Sequence, residues 1–179
     1  MQSTRVASAG VKDGWVAIGE IARPHGVRGE LRVKLYDPES ELLRDVEVVR
    51  LRLPGGSEED LKLDGARKVN QAMLIAFEGL ESIESIEKYR GAAVCVRRED
   101  FYDLEDGEYY FVDLVGGDAI LDGKRFGEIL EIREYPSVNV LVVKDELGKT
   151  WEVPMTASFV ESIAAPNVVL SSIEGLDPS

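Results

Sequence analysis

Apolar residues in this chain recur mainly at alternate positions, with few long helical periods. Val16 and Ile18 alternate from Trp15 onward, and Leu31, Val33 and Leu35 alternate against Arg32, Lys34 and Tyr36. Period two places successive side chains on opposite faces, so each run predicts a strand with one buried face. Arg23-Pro24-His25-Gly26 interrupts the first two runs, and Asp37-Pro38 ends the second and opens a helical turn through Leu43. Further strands are predicted over 46–53, 61–69, 73–77 and 93–97, with Pro54-Gly55-Gly56 as a turn. One short helix is predicted, with Ser82 as N-cap, Ile83, Ile86 and Tyr89 on one face, and Gly91 just past its end. Six short strands without long helices favour a closed antiparallel barrel over a parallel sheet.

An acidic, turn-rich stretch over 99–108 reads as an interdomain linker. Beyond it, strands are predicted over 119–121, 127–135, 138–144 and 150–153. A short helix is predicted from Phe159, Val160 and Ile163, and a last strand over 168–171. The expectation is all-β: two small barrels in tandem, over 15–98 and 109–177. Residues 1–14 lack an apolar period and are predicted to be a disordered extension.

Composition narrows the chemistry. The 179 residues are 44% hydrophobic and 31% charged, with a net charge of −13. Such a chain is repelled by nucleic acid overall, so any RNA contact needs a local basic patch. One cysteine and one histidine exclude an internal disulfide and any site needing two imidazoles. No apolar run approaches a membrane span and no secretory signal is visible, so a cytoplasmic protein is expected. The charge is unevenly shared. Residues 15–100 hold 14 basic and 17 acidic groups, a net of −3, whereas residues 101–179 hold 5 and 16, a net of −11.

Against that background the densest positive cluster stands out: Arg23, His25, Arg28, Arg32 and Lys34. Four fixed positive charges fall between residues 21 and 34 against one acid, Glu30. Guanidinium groups on a glycine-containing loop can reach phosphates. The alternative is a solvated strand face whose cations pair with nearby acids. Gly26 and Gly29 are assigned to turn geometry; no helix carrying Lys-Ser/Thr follows, as a phosphate-binding loop would require. His25 is expected to make a turn hydrogen bond, and Cys95 to be a small buried apolar residue. Trp15 and Trp151 are assigned to packing, and Asp113 to a turn cap or the start of the second domain. The acidic run lacks calcium-loop spacing. No metal and no cofactor are expected.

Two motifs then point to a family. The segments Ala17-Ile18-Gly19-Glu20-Ile21 and Pro24-His25-Gly26-Val27-Arg28-Gly29-Glu30-Leu31-Arg32-Val33 resemble the opening of the RimM family of ribosome maturation factors. Gly107-Glu108-Tyr109-Tyr110-Phe111-Val112-Asp113-Leu114-Val115-Gly116 resembles the start of that family's second domain, a PRC barrel. The resemblance runs over roughly residues 15 to 177. It implies a first barrel like domain two of translation factors, followed by the PRC barrel. It also implies a non-enzymatic assembly factor that supports maturation of the small-subunit head and processing of 16S rRNA. The implied partners are the small ribosomal subunit, its ribosomal protein nineteen, and 16S rRNA through the basic loop; no membrane is involved and a monomer is expected. Tyr109 and Tyr110 are linked in the family to subunit association. Strand alternation would turn one ring inward and one outward as an interface anchor; alternatively both seal the domain junction. The acidic second half would suit a basic ribosomal protein. A non-ribosomal PRC-barrel adaptor and, more distantly, an RNA-processing hydrolase are the competing readings.

Overall fold

The computed structural model describes residues 11–106 and 108–179. The chain divides into two compact units, one running to Asp103 and the other from Leu104 to Ser179. The first holds seven strands: β1 (Val11–Lys12), β2 (Trp15–His25), β3 (Glu30–Leu35), β4 (Val48–Arg52), β5 (Glu58–Val69), β6 (Ala72–Phe77) and β7 (Ala93–Arg97). Their order is β1-β2-β3-β6-β5-β4-β7, and an additional β2–β7 pairing closes strands β2 to β7 into a ring. Closure depends on β2. It pairs with β7 through Trp15–Glu20 and with β3 through Gly19–His25, with a register shift in each ladder. A bulge bends its strand and increases the twist, which lets one strand serve two neighbours around a tight barrel.

The alternation expected from sequence is what fills this barrel. Leu31, Val33 and Leu35 are buried while Lys34 is exposed and Arg32 half-buried. Ile21, Leu51, Met73, Ile75, Val94 and Val96 are also buried. The predicted helix forms as α1 (Ile83–Ile86), where Ser82 and Ser85 make a reciprocal capping box, and it continues as a single 3-10 turn to Tyr89. The Tyr89 ring meets Phe77 edge-on with centroids 6.1 Å apart, and its hydroxyl donates to Glu59 at 2.8 Å.

The second unit holds β8 (Asp118–Leu121), β9 (Lys124–Glu134), β10 (Asn139–Asp145), β11 (Thr150–Pro154), β12 (Val160–Ala164) and β13 (Asn167–Leu170). The order is β11-β10-β9-β8-β13-β12, with β8–β13 parallel and the other pairs antiparallel. Ile129, Leu141, Val143, Val153 and Val168 form its core with Tyr109 and Phe111. Ser179 exchanges two backbone hydrogen bonds with Thr150, at 3.0 and 2.8 Å, so the last residue returns to the sheet at β11. The chain is therefore all-β, with two sheet domains in tandem.

Three expectations are corrected. The segment around Phe159, Val160 and Ile163 is strand β12, not a helix. Its β-branched residues lie in a ladder with β13, so non-local pairing overrides a weak three-residue spacing. Strand β5 begins at Glu58, three residues before the apolar alternation, because Glu58 and Asp60 lie opposite Arg52 and Arg50. Here charge pairs rather than apolar residues define the strand. Finally, Val11 and Lys12 pair with Val16 and Trp15, so the predicted disordered extension over 1–14 ends earlier; its first ten positions lie outside the described residues.

Candidate functional site: a basic hairpin on the first barrel

Strands β2 and β3 form a hairpin joined by Gly26-Val27-Arg28-Gly29. Both glycines adopt positive φ, +64° and +77°, a region that L side chains rarely enter. Their surroundings differ. A Cβ on Gly26 would meet open space, whereas one on Gly29 would lie 2.0 Å from the Leu80 carbonyl oxygen. Gly29 therefore seats the loop against the segment before α1, and Gly26 only turns the chain. Between them Val27 is 73% exposed.

The cations of this hairpin are not neutralised. Among the described residues, Arg23, Arg28, Arg32 and Lys34 have no carboxylate within ion-pair distance, although the chain holds 34 acids. Arg23 and Arg32 are direct cross-strand partners. Like charges directly opposite one another destabilise a ladder, so the fold tolerates this arrangement rather than profits from it. His25 is half-buried and lies opposite Glu30. Of the hairpin's two acids, Glu20 lies opposite Lys34 but beyond ion-pair distance, and Glu30 is engaged elsewhere: Arg67 on β5 donates to both Glu30 oxygens, at 2.9 and 3.0 Å. That bidentate contact holds the Glu30 carboxyl below the usual range, helped by the nearby charges of His25 and Arg28.

A second arginine group on the same barrel behaves differently. Trp15, Ala17 and Cys95 form a small buried cluster apart from the barrel interior. Arg50 and Arg97 lie over the Trp15 ring, at 4.6 and 5.2 Å from its centroid. Arg50 also donates to both Asp60 oxygens at 2.6 and 2.8 Å, and Arg97 to Glu99 at 3.1 Å. Those guanidinium groups serve packing and ion pairing. The same cluster buries Cys95, whose thiol is pushed up by desolvation, away from thiolate reactivity.

Tyr109 and Tyr110 do not follow the expected in-and-out pattern. They are 8% and 3% exposed, so neither ring is a surface anchor. Tyr109 joins the second domain's core, with its ring 6.0 Å from Phe111, and burial raises its hydroxyl pKa. Alternation fails because the pair precedes a 3-10 turn, Phe111–Asp113, rather than lying within a paired strand; the Asp113 amide donates to the Tyr110 carbonyl at 3.0 Å. The expected linker also differs. Phe101 is buried, Tyr102 donates to Asp45 at 2.5 Å, and residues 99–103 belong to the first unit; Gly107 lies outside the described residues. Trp151 packs edge-to-face on Phe126 and donates to Asp145 at 2.9 Å. Among the described residues no group of three or more His, Cys, Asp or Glu could hold a metal ion, and no helix is long and apolar enough to cross a membrane.

These features define a class: a tandem all-β protein whose first barrel groups cations on one hairpin, unpaired with any carboxylate among the described residues. A sequence model of the RimM N-terminal domain matches residues 16–101. The ribosome maturation factor RimM of Sorangium cellulosum is 41% identical over 165 residues, covering 90% of this chain and 97% of the relative. The ribosome maturation factor RimM of Myxococcus xanthus is 33% identical over 150 residues, covering 83% and 80%. A RimM crystal structure from Pseudomonas aeruginosa is 28% identical, covers 88% of this chain and 97% of its own, and superposes with a TM-score of 0.44. This chain belongs to the RimM family of ribosome maturation factors.

Proposed function

We propose that this protein is a non-catalytic assembly factor that binds the immature small ribosomal subunit in the cytoplasm. In this reading it engages small-subunit ribosomal protein nineteen and nearby 16S rRNA, and promotes head maturation and 16S rRNA processing. Binding favours one conformation of the head over misfolded alternatives, and no turnover is involved. One observation carries the RNA part: in a chain of net charge −13, Arg23, Arg28, Arg32 and Lys34 on one hairpin have no carboxylate within ion-pair distance among the described residues. Cations left free in an acidic protein are available to phosphate, and an RNA backbone supplies phosphate in a continuous row.

The protein partner is assigned to the second half, where residues 101–179 carry a net of −11. An acidic surface speeds encounter with a basic ribosomal protein and leaves specificity to contacts made afterwards. Because both tyrosines are buried, Tyr109 and Tyr110 would support this contact by holding the start of the second domain in shape rather than by touching the partner.

Co-sedimentation of the full chain with purified small subunits tests the reading. The wild type should sediment with them, and a folded Arg23→Gln/Arg28→Gln/Arg32→Gln variant should sediment less. Co-sedimentation unchanged by that variant would remove the RNA role of the hairpin. A pulldown dominated by components other than those of the small subunit would replace the assembly reading with an adaptor.

A further inference from the structure

Arg67 lies outside the hairpin but in line with it. In the ladders of the first barrel, Arg23 pairs in register with Arg32, Arg32 with Leu74, and Leu74 with Arg67; Leu74 is buried, so the arginines beside it carry the exposed part of the row. This row crosses β2, β3, β6 and β5, and three of its four members are arginines. Strands lie about 4.8 Å apart, so the Arg32 and Arg67 backbones are separated by roughly 10 Å. Of the three arginines, Arg67 is the one held by a carboxylate among the described residues, and that carboxylate comes from the basic hairpin itself.

We propose that Arg67 is a further RNA-phosphate contact held in reserve by Glu30, and that an RNA backbone arriving on the arginine row displaces the Glu30 carboxylate from the Arg67 guanidinium. The inference rests on the reading of the hairpin as an RNA-contact surface.

Three observations support it. The Arg67 side chain is 56% exposed, so its ion pair is of the kind that water and salt weaken. A phosphate presents the same two-oxygen edge as a carboxylate, so the exchange preserves a bidentate contact. There is also room: a groove of about 250 Å³ opens beside the pair, and Gly65, Ala66 and Ala76 in its lining add no bulk. Asp64 lines the same groove and, as a second carboxylate, moderates the attraction. Glu30 is not orphaned by the exchange, because the Arg28 charge still acts on it.

The test uses the full chain, a fluorescein-labelled RNA hairpin from the head of 16S rRNA, and anisotropy over a salt series. Arg67→Gln should weaken binding about threefold and reduce the slope of log K against log salt by about 0.7 to 0.9, one phosphate contact. Glu30→Gln should strengthen binding about threefold, and that gain should disappear in the Glu30→Gln/Arg67→Gln double variant. A structural role would move the two single variants in the same direction, since each removes the same ion pair. Same-direction changes, no change in either, or a gain that persists in the double variant overturn the proposal. Arg23→Gln/Arg28→Gln/Arg32→Gln separates the two levels. If that variant binds RNA as the wild type does, the hairpin reading fails. If it binds weakly while the Arg67 and Glu30 variants behave as wild type, this inference alone fails. Displacement of the RNA by polyglutamate at equal charge would overturn the choice of RNA in favour of an acidic protein.

Discussion

Two hairpins of the same barrel use arginine in opposite ways. In β4–β5, Arg50 lies opposite Asp60 and Arg52 opposite Glu58, and each pair is closed by a hydrogen bond. In β2–β3, Arg23 lies opposite Arg32, and neither has a carboxylate within reach among the described residues. The first pattern spends its charge inside the fold, tying two strands together and covering Trp15. The second leaves its charge for something outside. Density of arginine therefore says little about binding; the register that sets one charge against another decides whether a cation is structural or available.

The largest expected effect is on the seat of the basic hairpin. Gly29→Ala sets a Cβ against the Leu80 carbonyl as well as at positive φ, and should destabilise the protein by roughly 2–4 kcal/mol. Gly26→Ala meets open space and should cost about 1 kcal/mol from φ alone. Urea denaturation checks the difference, and equal losses would mean that Leu80 does not anchor the loop. Next in size is the loss of RNA affinity in Arg23→Gln/Arg28→Gln/Arg32→Gln. It should reach about tenfold at moderate salt, with a salt slope smaller by about 2. Its melting temperature should stay the same or rise, because a like-charge pair has been relieved.

Arg50→Gln should do the reverse, lowering the melting temperature through loss of the Asp60 contact and the stacking on Trp15, while RNA affinity stays as in the wild type. If Arg50→Gln weakened RNA binding as much as a hairpin substitution, the division between the two hairpins would collapse.

The smallest effect is a pH dependence. Asp60 is held below the usual carboxylate range by its hydrogen bonds from Arg50, and Glu59 by those from Lys88 and Tyr89. A folded-state pKa below the unfolded one gives stability that is complete above about pH 4 and is lost as pH falls through the folded value. Urea titrations across that range should show a shallower acid loss in Asp60→Asn than in the wild type. An identical acid limb in the two proteins would show that the Arg50–Asp60 contact adds no measurable stability.

Much of the first barrel could be read directly from sequence. The alternation of Leu31, Val33 and Leu35, the Ser82 cap and the turn glycines at 26 and 29 are local features, and local geometry answers to them. The basic cluster was equally visible as composition. The start of β5 was hidden, because its first residues alternate in charge partners rather than in apolar side chains. Strand β12 was hidden because three spaced apolar residues fit a short helix as well as a strand. Of the two readings of the tyrosine pair, the in-and-out one fails because alternation holds only inside a ladder, and the chain turns at Phe111.

By itself, then, the sequence determined the strand period, the turns, the acidic second half and the presence of a cationic loop. Each depends on neighbours a few residues apart. The tertiary structure was needed to set Arg50 against Asp60 and leave Arg32 with no carboxylate in reach among the described residues, to bury both Tyr109 and Tyr110, and to bring Arg67 into line with the hairpin. Those outcomes follow from register between strands: Arg67 and Glu30 are 37 positions apart in the chain and reach hydrogen-bonding distance only when β3, β6 and β5 pair side by side.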